Sequence, residues 1–392
     1  MGALDGIRVI EAGLLVQGPQ AAATLGDWGA EVIKVELPDF GDQSRWLPLS
    51  PLDSRSAYFI GCNRGKRSAT VDLRTPSGRR VFLRLAAAAD VVITNFKPGT
   101  MEAWGLGYEE LQAHNPRIIY AAGSTFGPAG DDSKREGADL SGQAAGGLIS
   151  TTGVSGGEPT PVGATIADHI ASQNLVSGIL AALIARGRTG RGQRIDTSLL
   201  GGQVWAQASE YTAFLLSGEV PVRANHGNSM VPGLYGIYPT SDGWIAVVGV
   251  VGPARNLFYQ TLGMPELAER FSQLLYSESD KAELFPLLSE AFSRRPTVEW
   301  CEMLTEAGIR HAPVRDYAQV AADPGVWAND YLVRVDSPSG EVSVVGSPVR
   351  FSDTPAAPAA TAPELGQHTE EVLLEVGFSW DDIAQLSKEG AI

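Results

Sequence analysis

Along the first half of the chain, apolar and polar positions switch between two rhythms. Short, largely apolar runs at Ile7–Glu11, Glu31–Glu36, Ser68–Leu73, Val91–Asn95 and Ile118–Ala122 read as strands. Between them, helical spacing appears at Gln20–Trp28, Ser77–Ala88 and Tyr108–Ala113. This alternation predicts βαβ units, and so an α/β fold whose large domain holds a Rossmann-like parallel sheet with helices on both faces. In such sheets ligands gather at the carboxyl ends of the strands.

The stretch Pro161–Leu200 organises the middle of the chain. It reads as a Gly/Pro/Thr-bearing loop, a long apolar helix, a basic turn at Arg186–Gly192, a strand at Gln193–Asp196, and the start of a second long helix spanning Thr197–Leu216. Ahead of it, Gly123–Thr152 is rich in small residues, with helical potential around Leu140–Gly147. Gly218–Gly236 reads as a linker, after which Trp244–Val250 predicts a strand among several helices, the pattern of a smaller α+β domain. Past Asp323 the chain turns Pro- and Ala-rich, with strands near Leu332–Val335 and Glu341–Val345, a helix at His368–Val376 and an amphipathic turn around Trp380–Leu386. The expected organisation is a large domain over 1–217, a linker over 218–236, a small domain over 237–322, and a linker with C-terminal return to the large domain over 323–392.

Asp168 falls at the loop-to-helix junction, in a first turn whose N–H groups lack intrahelical partners, so the helix dipole is expected to keep its carboxylate ionised. Thr165 three residues earlier makes a capping-box pattern, and most acids in such positions serve only the helix end. Local pattern alone therefore leaves Asp168 open between a cap and a nucleophile.

Composition narrows the class. The chain has 392 residues, 44% of them hydrophobic, enough for two domains with real cores. No apolar run approaches the ~20 residues that cross a bilayer, and Met1–Val9 has no signal-peptide pattern, so no membrane partner is expected. Cys62 and Cys301 lack metal-type spacing, which fits a reducing cytoplasm and no metal. A net charge of −15 argues against nucleic acid. Within that acidity, Arg64, Lys66, Arg67, Arg74, Arg79, Arg80 and Arg84 are opposed only by Asp72, which predicts a local basic surface for a small polyanion. For Arg79, Arg80 and Arg84 a solvated helix face is the plainer reading. The first turn, Gly13–Pro19, is not GxGxxG, and no GxxxxGK[ST] occurs, so neither a dinucleotide fingerprint nor the common phosphate loop is present.

From end to end the chain resembles the family III CoA-transferases, which include formyl-CoA transferase and carnitine CoA-transferase. The matching stretches are LDGIRVIEAG (Leu4–Gly13), GAEVIKVE (Gly29–Glu36), GD with Arg45 (Gly41–Asp42), NRGKRSATVDL (Asn63–Leu73), ADVVITNFKPG (Ala89–Gly99), NPRIIYAAGSTFG (Asn115–Gly127), ALIARGRTGRGQRID (Ala182–Asp196) and LGQHTEEVLLEVGFS (Leu365–Ser379). The resemblance implies that Asp168 is the nucleophile. It would attack an acyl-CoA, release CoA thiolate, become an aspartyl-CoA thioester, and pass the CoA to an acceptor carboxylate. Coenzyme A would be substrate and product, with no permanently bound cofactor, and acyl-CoA and carboxylic acid would be the small-molecule partners.

The same resemblance places Gln17 beside the active carboxylate and gives Asp139 a part in handling intermediates. It makes Val16, Val71, Asp72, Leu73, Arg74, Asn95, Phe96 and Lys97 the CoA-binding positions, and implies an interlocked homodimer. Two departures stand out: Ala103 replaces an arginine, and Leu37 a basic residue. The glycine-rich loop that covers the aspartate in formyl-CoA transferase has its nearest counterparts in Gly249 and Gly252. Two other functions compete. An α-methylacyl-CoA racemase shares the aspartate but carries a histidine where this chain has Ala138, and proton exchange on two faces needs two acid/base groups. His169 is a poor substitute because helical neighbours point apart, and His114, His226, His311 and His368 read as surface or structural. A non-catalytic CoA-binding protein is the third reading.

Overall fold

The computed structural model describes residues 1–47, 56–224, 227, 230–231, 233–337, 340–356 and 360–392. His226, and parts of the linker around it, lie outside the described residues. The chain divides into two compact units: one built from Met1–Leu148, Pro161–Ala208 and Pro324–Ile392, the other from Ile149–Thr160 and Ser209–Asp323.

The first unit holds a six-stranded parallel sheet: β1 (Arg8–Ala12), β2 (Glu31–Glu36), β3 (Arg67–Thr70), β4 (Val91–Thr94), β5 (Ile119–Ser124) and β6 (Arg194–Ser198), in the order β3-β2-β1-β4-β5-β6. The inner strands β1, β4 and β5, with β2 beside them, are buried on both faces, which is why they read as largely apolar runs, whereas the edge strand β6 is only partly buried. On one face Ile10, Ile33 and Val92 pack with the helix Pro76–Ala87 and with Val372, Leu373, Ile383 and Leu386 of the C-terminal helices. On the other, Val9, Val91 and Ile119 meet Leu175, Val176 and Ile179 of the 24-residue helix Ile166–Thr189. That helix is long and apolar enough, by length and composition, to cross a membrane, contrary to the sequence expectation. Its buried stripe here faces the sheet.

The second unit contains the antiparallel sheet β7 (Leu234–Pro239), β8 (Trp244–Val250), β9 (His311–Pro313), packed by Tyr238, Ile245 and Val247 against Phe258, Phe285 and Phe292 of its helices. In the returning segment of the first unit, β10 (Leu332–Ser337) and β11 (Gly340–Val345) form a hairpin.

Several boundaries differ from the sequence reading for identifiable reasons. The first helix is Gln17–Asp27, starting three residues early, because Pro19 lies within its first turn, where a missing N–H is free of cost. The expected turn at Arg186 is still helix, which ends only where Gly190 adopts φ 73°. The single helix expected over Thr197–Leu216 is two, Leu199–Ala206 and Ala208–Ser217, after β6 has run on through Ser198. Between them Gln207 spends its side-chain amide on the carbonyls of Gly146 and Gln203.

The expected basic surface is reduced: Arg64, Lys66 and Arg67 turn toward carboxylates of the fold, while Arg74, Arg80 and Arg84 stay exposed. Lys66 is buried against Glu11 at 2.9 Å, and Arg64 against Asp27 at 2.5 Å. Arg67 pairs with Glu31, Glu371 and Glu375. Lys66 and Arg64 are internal to the fold, and Arg67 is partly so, because carboxylates distant in sequence meet them there. Arg84 reaches the carbonyls of Val376 and Gly377 from its exposed helix face. At the centre, Glu11 of β1 sits directly across from Lys34 of β2. Lys34 also pairs with Asp42 at 2.9 Å, and none of the side chains of Glu11, Lys34, Lys66 and Asp42 is accessible to solvent. Replacing Glu11 by Gln leaves two ammonium groups short of a buried counter-charge, and is expected to cost about 3–5 kcal/mol, read as a lowered urea midpoint.

Candidate active site

Two carboxylates lie at the start of the Ile166–Thr189 helix, and their surroundings differ. Asp139 opens the helix Asp139–Ala145 and is oriented by Gln143 one turn on, whose amide donates to Oδ2 at 2.6 Å. Its Oδ1 accepts from the backbone N–H of Ala167 at 2.7 Å and of Asp168 at 3.2 Å. Asp139 therefore caps the long helix from outside. The capping box expected from Thr165 does not form; Thr165 makes no side-chain cap bond. The two helices approach closely at Gly142, where a Cβ would lie 2.7 Å from that of Leu199 and 3.0 Å from that of Ala167.

Asp168, half-buried in the first turn, is the complement. No hydrogen bond or ion pair among the described residues holds its oxygens. Burial, and then the charge of Asp139, push its carboxyl up to about 7. This corrects the expectation of a strongly ionised group. The amides that would have stabilised Asp168 are occupied by Asp139.

The surrounding loop is fixed by the same parts. Gln143 accepts from the N–H of Val162 at 3.0 Å and donates to the carbonyl of Ala164 at 3.4 Å. Four residues beyond Asp168, Ser172 donates to the carbonyl of Gln17 at 2.7 Å, so the long helix is tied to the start of the first helix. Gln17 is buried, donates to the carbonyl of Ser124 at 3.3 Å, and occupies space that only Gly123 leaves open, since a Cβ there would stand 2.4 Å from Oε1. Gln17 and Asp168 are thus joined through Ser172.

An open groove of about 570 Å³ runs past this point, lined by Val16, Tyr58, Cys62, Thr165 and His169 among others. Burial, and further the charges of Asp168 and Asp139, raise the pKa of the Tyr58 phenol, which hydrogen-bonds Thr165. Tyr58 places the groove within electrostatic reach of Asp168. The sequence reading did not single out Tyr58, Gln143 or Ser172. For Gln143 and Ser172 the available signal was their i+4 spacing from the two aspartates. Burial lifts the Cys62 thiol to about 11, which makes it a poor nucleophile.

A second cavity, of about 260 Å³, lies at the carboxyl ends of β1 to β4. It gathers Val71, Asp72, Leu73, Arg74 and Phe96 with Leu14, Leu37, Phe40 and Trp104. The chain crosses over between β1 and β4, the position where doubly wound sheets bind ligands. Arg74 folds onto Asp72 with two parallel bonds of 2.8 Å. Asn95 serves the architecture: its amide both donates to the carbonyl and accepts from the N–H of Leu14, each at 2.8 Å, fixing the turn after β1. Lys97 stands apart from this cavity, 3.7 Å from Glu136. Ala103 ends a short helix, Thr100–Ala103. Gly249 (φ 63°) and Gly252 (φ 56°) belong to the second unit.

His169 lines the groove, and burial lowers its pKa. His114 pairs with Glu110, His311 meets the Ile309 carbonyl, and His368 accepts from the Ser68 N–H.

A doubly covered parallel sheet, a cavity at its crossover point and a carboxylate without partners among the described residues beside a groove are the architecture of an α/β enzyme. The chain belongs to CoA-transferase family III, whose model matches residues 4–369, and on that ground it is an enzyme, a CoA-transferase. It is 34% identical to the human succinyl-CoA:glutarate CoA-transferase, over 99% of this chain and 90% of that protein. It is 36% identical to the succinate–glutarate CoA-transferase of Agrobacterium fabrum, over 95% of each. Among solved structures, a CAIB/BAIF family protein from Brucella suis superposes with a TM-score of 0.85 at 35% identity, covering 96% of this chain and 99% of that one.

The raised pKa of Asp168 has a consequence independent of turnover. A carboxyl whose folded pKa exceeds its unfolded value favours the protonated native state, so its contribution falls as pH rises from about 4 to about 7. Asp168→Asn is therefore expected to raise the melting temperature relative to the parent at pH 8 and to leave it unchanged near pH 4.

Proposed function

We propose that the protein moves CoA from an acyl-CoA to a carboxylic acid through a covalent intermediate on Asp168. The observation that carries this reading is the contrast between the two aspartates. Asp139 has its oxygens committed to three N–H donors. Asp168 has none among the described residues, and its raised pKa makes it a stronger nucleophile in its ionised form.

In the first step an Asp168 oxygen attacks the thioester carbon, the C–S bond breaks, and CoA leaves as thiolate, giving a mixed anhydride. The thiolate then attacks the aspartyl carbonyl and the donor acid leaves as carboxylate. An acceptor carboxylate reverses the sequence, carrying the CoA away. Asp139 positions Asp168 by holding the helix start, and Gln17 stands at the adjoining helix N-terminus, tied through Ser172. The cavity at the ends of β1 to β4 is the proposed seat of the nucleotide end of CoA, with Val71, Asp72, Leu73, Arg74 and Phe96 around it and Val16 at the groove. Asn95 would act by fixing that cavity's first turn, and Lys97 as an accessory cation. No permanently bound cofactor enters these steps.

The racemase reading asks for a second group free to take and return a proton. Asp139, saturated by N–H donors, is unsuited to that role. The resemblance and the free cysteines support a cytoplasmic homodimer. Exposed apolar side chains such as Leu215 (76%) and Leu216 (84%) are suited to an interface.

Asp168→Ala is expected to lower CoA exchange at least about 10³-fold and to abolish the CoA adduct detectable by intact mass. Because only the ionised carboxyl attacks, kcat/KM should fall with acid below a midpoint near 7, and Asp139→Asn, which removes the neighbouring charge, should move that midpoint down. An unshifted acid limb in Asp139→Asn would show that another group titrates.

A further inference from the structure

We infer that Gln143 is a positioning residue for the exchange at Asp168: its one amide holds both the carboxylate that caps the Asp168 helix and the loop that leads into that helix, and so sets the aim and the neighbours of the Asp168 carboxyl. The inference rests on the reading of Asp168 as acyl carrier.

Gln143 is the fifth residue of the helix Asp139–Ala145 and is 1% exposed. Both kinds of bonding capacity that an amide carries are in use there. Its nitrogen donates to Asp139 Oδ2 at 2.6 Å and to the Ala164 carbonyl at 3.4 Å, and its oxygen accepts from the N–H of Val162 at 3.0 Å. The other oxygen of Asp139 accepts from the N–H groups of Ala167 and Asp168. With Oδ2 on Gln143 and Oδ1 on the helix, the Asp139 carboxylate is fixed in one orientation, and the helix-start amides are spent on it. On the loop side, Val162 and Ala164 lead into Thr165, which hydrogen-bonds the Tyr58 phenol at the groove. One buried amide thus ties down both sides of the turn that carries Asp168.

No close substitute performs all three tasks. Glutamate at neutral pH lacks the N–H groups and would set oxygen against oxygen at Asp139. Methionine fills the space without donating, and asparagine is one methylene short. The close approach of the two helices at Gly142 is a separate contact, met by Leu199 and Ala167. Among the described residues, the titratable groups that face the two aspartates are Tyr58, from the helix Ala57–Asn63, and His169, from the Asp168 helix itself. Burial raises the phenol and lowers the imidazole, so both are neutral at pH 8.

The test is a double-mutant cycle that needs no substrate. Without the amide, Asp139 loses its fixed orientation, its charge is held less closely beside Asp168, and the helix-start amides become open to Asp168; each change favours the ionised Asp168. Asp168→Asn, which is expected to raise the melting temperature of the parent at pH 8, should therefore give less than about half that gain in a Gln143→Met background, and none near pH 4 in either. The milder Gln143→Asn should move the gain in the same direction. A merely structural Gln143 would lower both members of each pair alike, and an undiminished gain at pH 8 overturns the inference while leaving the Asp168 mechanism standing. On the reaction itself, with succinyl-CoA as the probe, the maximal rate of CoA-adduct formation followed by intact mass should fall at least about tenfold in Gln143→Met, because displacement of a reacting group by about 1 Å is costly. The half-saturating concentration should stay within about threefold of the parent's. A loss confined to that concentration counts against positioning. CoA exchange that survives in Asp168→Ala overturns the mechanism and this inference with it.

Discussion

The site turns on where the first N–H groups of one helix are spent. A helix start offers a small number of unsatisfied amides and a positive dipole end, and whichever carboxylate takes them is stabilised as an anion. Here Asp139, from a different helix, takes the N–H of both Ala167 and Asp168. Asp168 is left with burial and a like charge for company, and both act in the same direction on its proton. One carboxylate is committed to N–H donors, and the other is the one proposed above as nucleophile. The division is set entirely by partners.

That arrangement needs a rigid floor. The carboxyl ends of β1 and β2 and the turns that follow them are held by the buried group of Glu11, Lys34, Asp42 and Lys66. Asp42 also accepts from the N–H of Leu15, a residue at φ 63°, while Asn95 holds Leu14 on both sides of its peptide group. The turn after β1 thus carries strain that these bonds maintain, and it leads directly into Val16 and Gln17. From there Ser172 relays the position to the Asp168 helix. Buried charge is an expensive way to hold a loop. What it secures is a fixed direction, because a misplaced member would leave its counter-ion unpaired.

Cations spent on architecture are unavailable for ligands. Arg64, Lys66 and Arg67, which as sequence look like an anion-binding surface, are neutralised by carboxylates from the first helix, from β1 and β2, and from the C-terminal helix. Among the described residues that line the groove near Asp168, Arg64 is committed to Asp27, and the cavity at the strand ends presents Arg74 already folded on Asp72.

Taken alone, the order of residues determined the parallel sheet, because strands buried on both faces must be written as apolar runs and the helices between them as amphipathic ones. It also carried, through many short motifs in order, the resemblance to the family that the family model then bore out over residues 4–369. Helix ends were less legible: Pro19 inside a first turn and Gln207 between two helices act through local geometry that periodicity does not register. The protonation behaviour of Asp168 is not legible in the sequence, because Asp139, 29 residues away, takes the helix-start N–H groups that Asp168's own position would have offered it. Charge pairing and groove character are properties of contacts between distant segments, since a side chain's cost or benefit depends on what surrounds it in three dimensions. Only the tertiary structure decides which of two aspartates has its oxygens free.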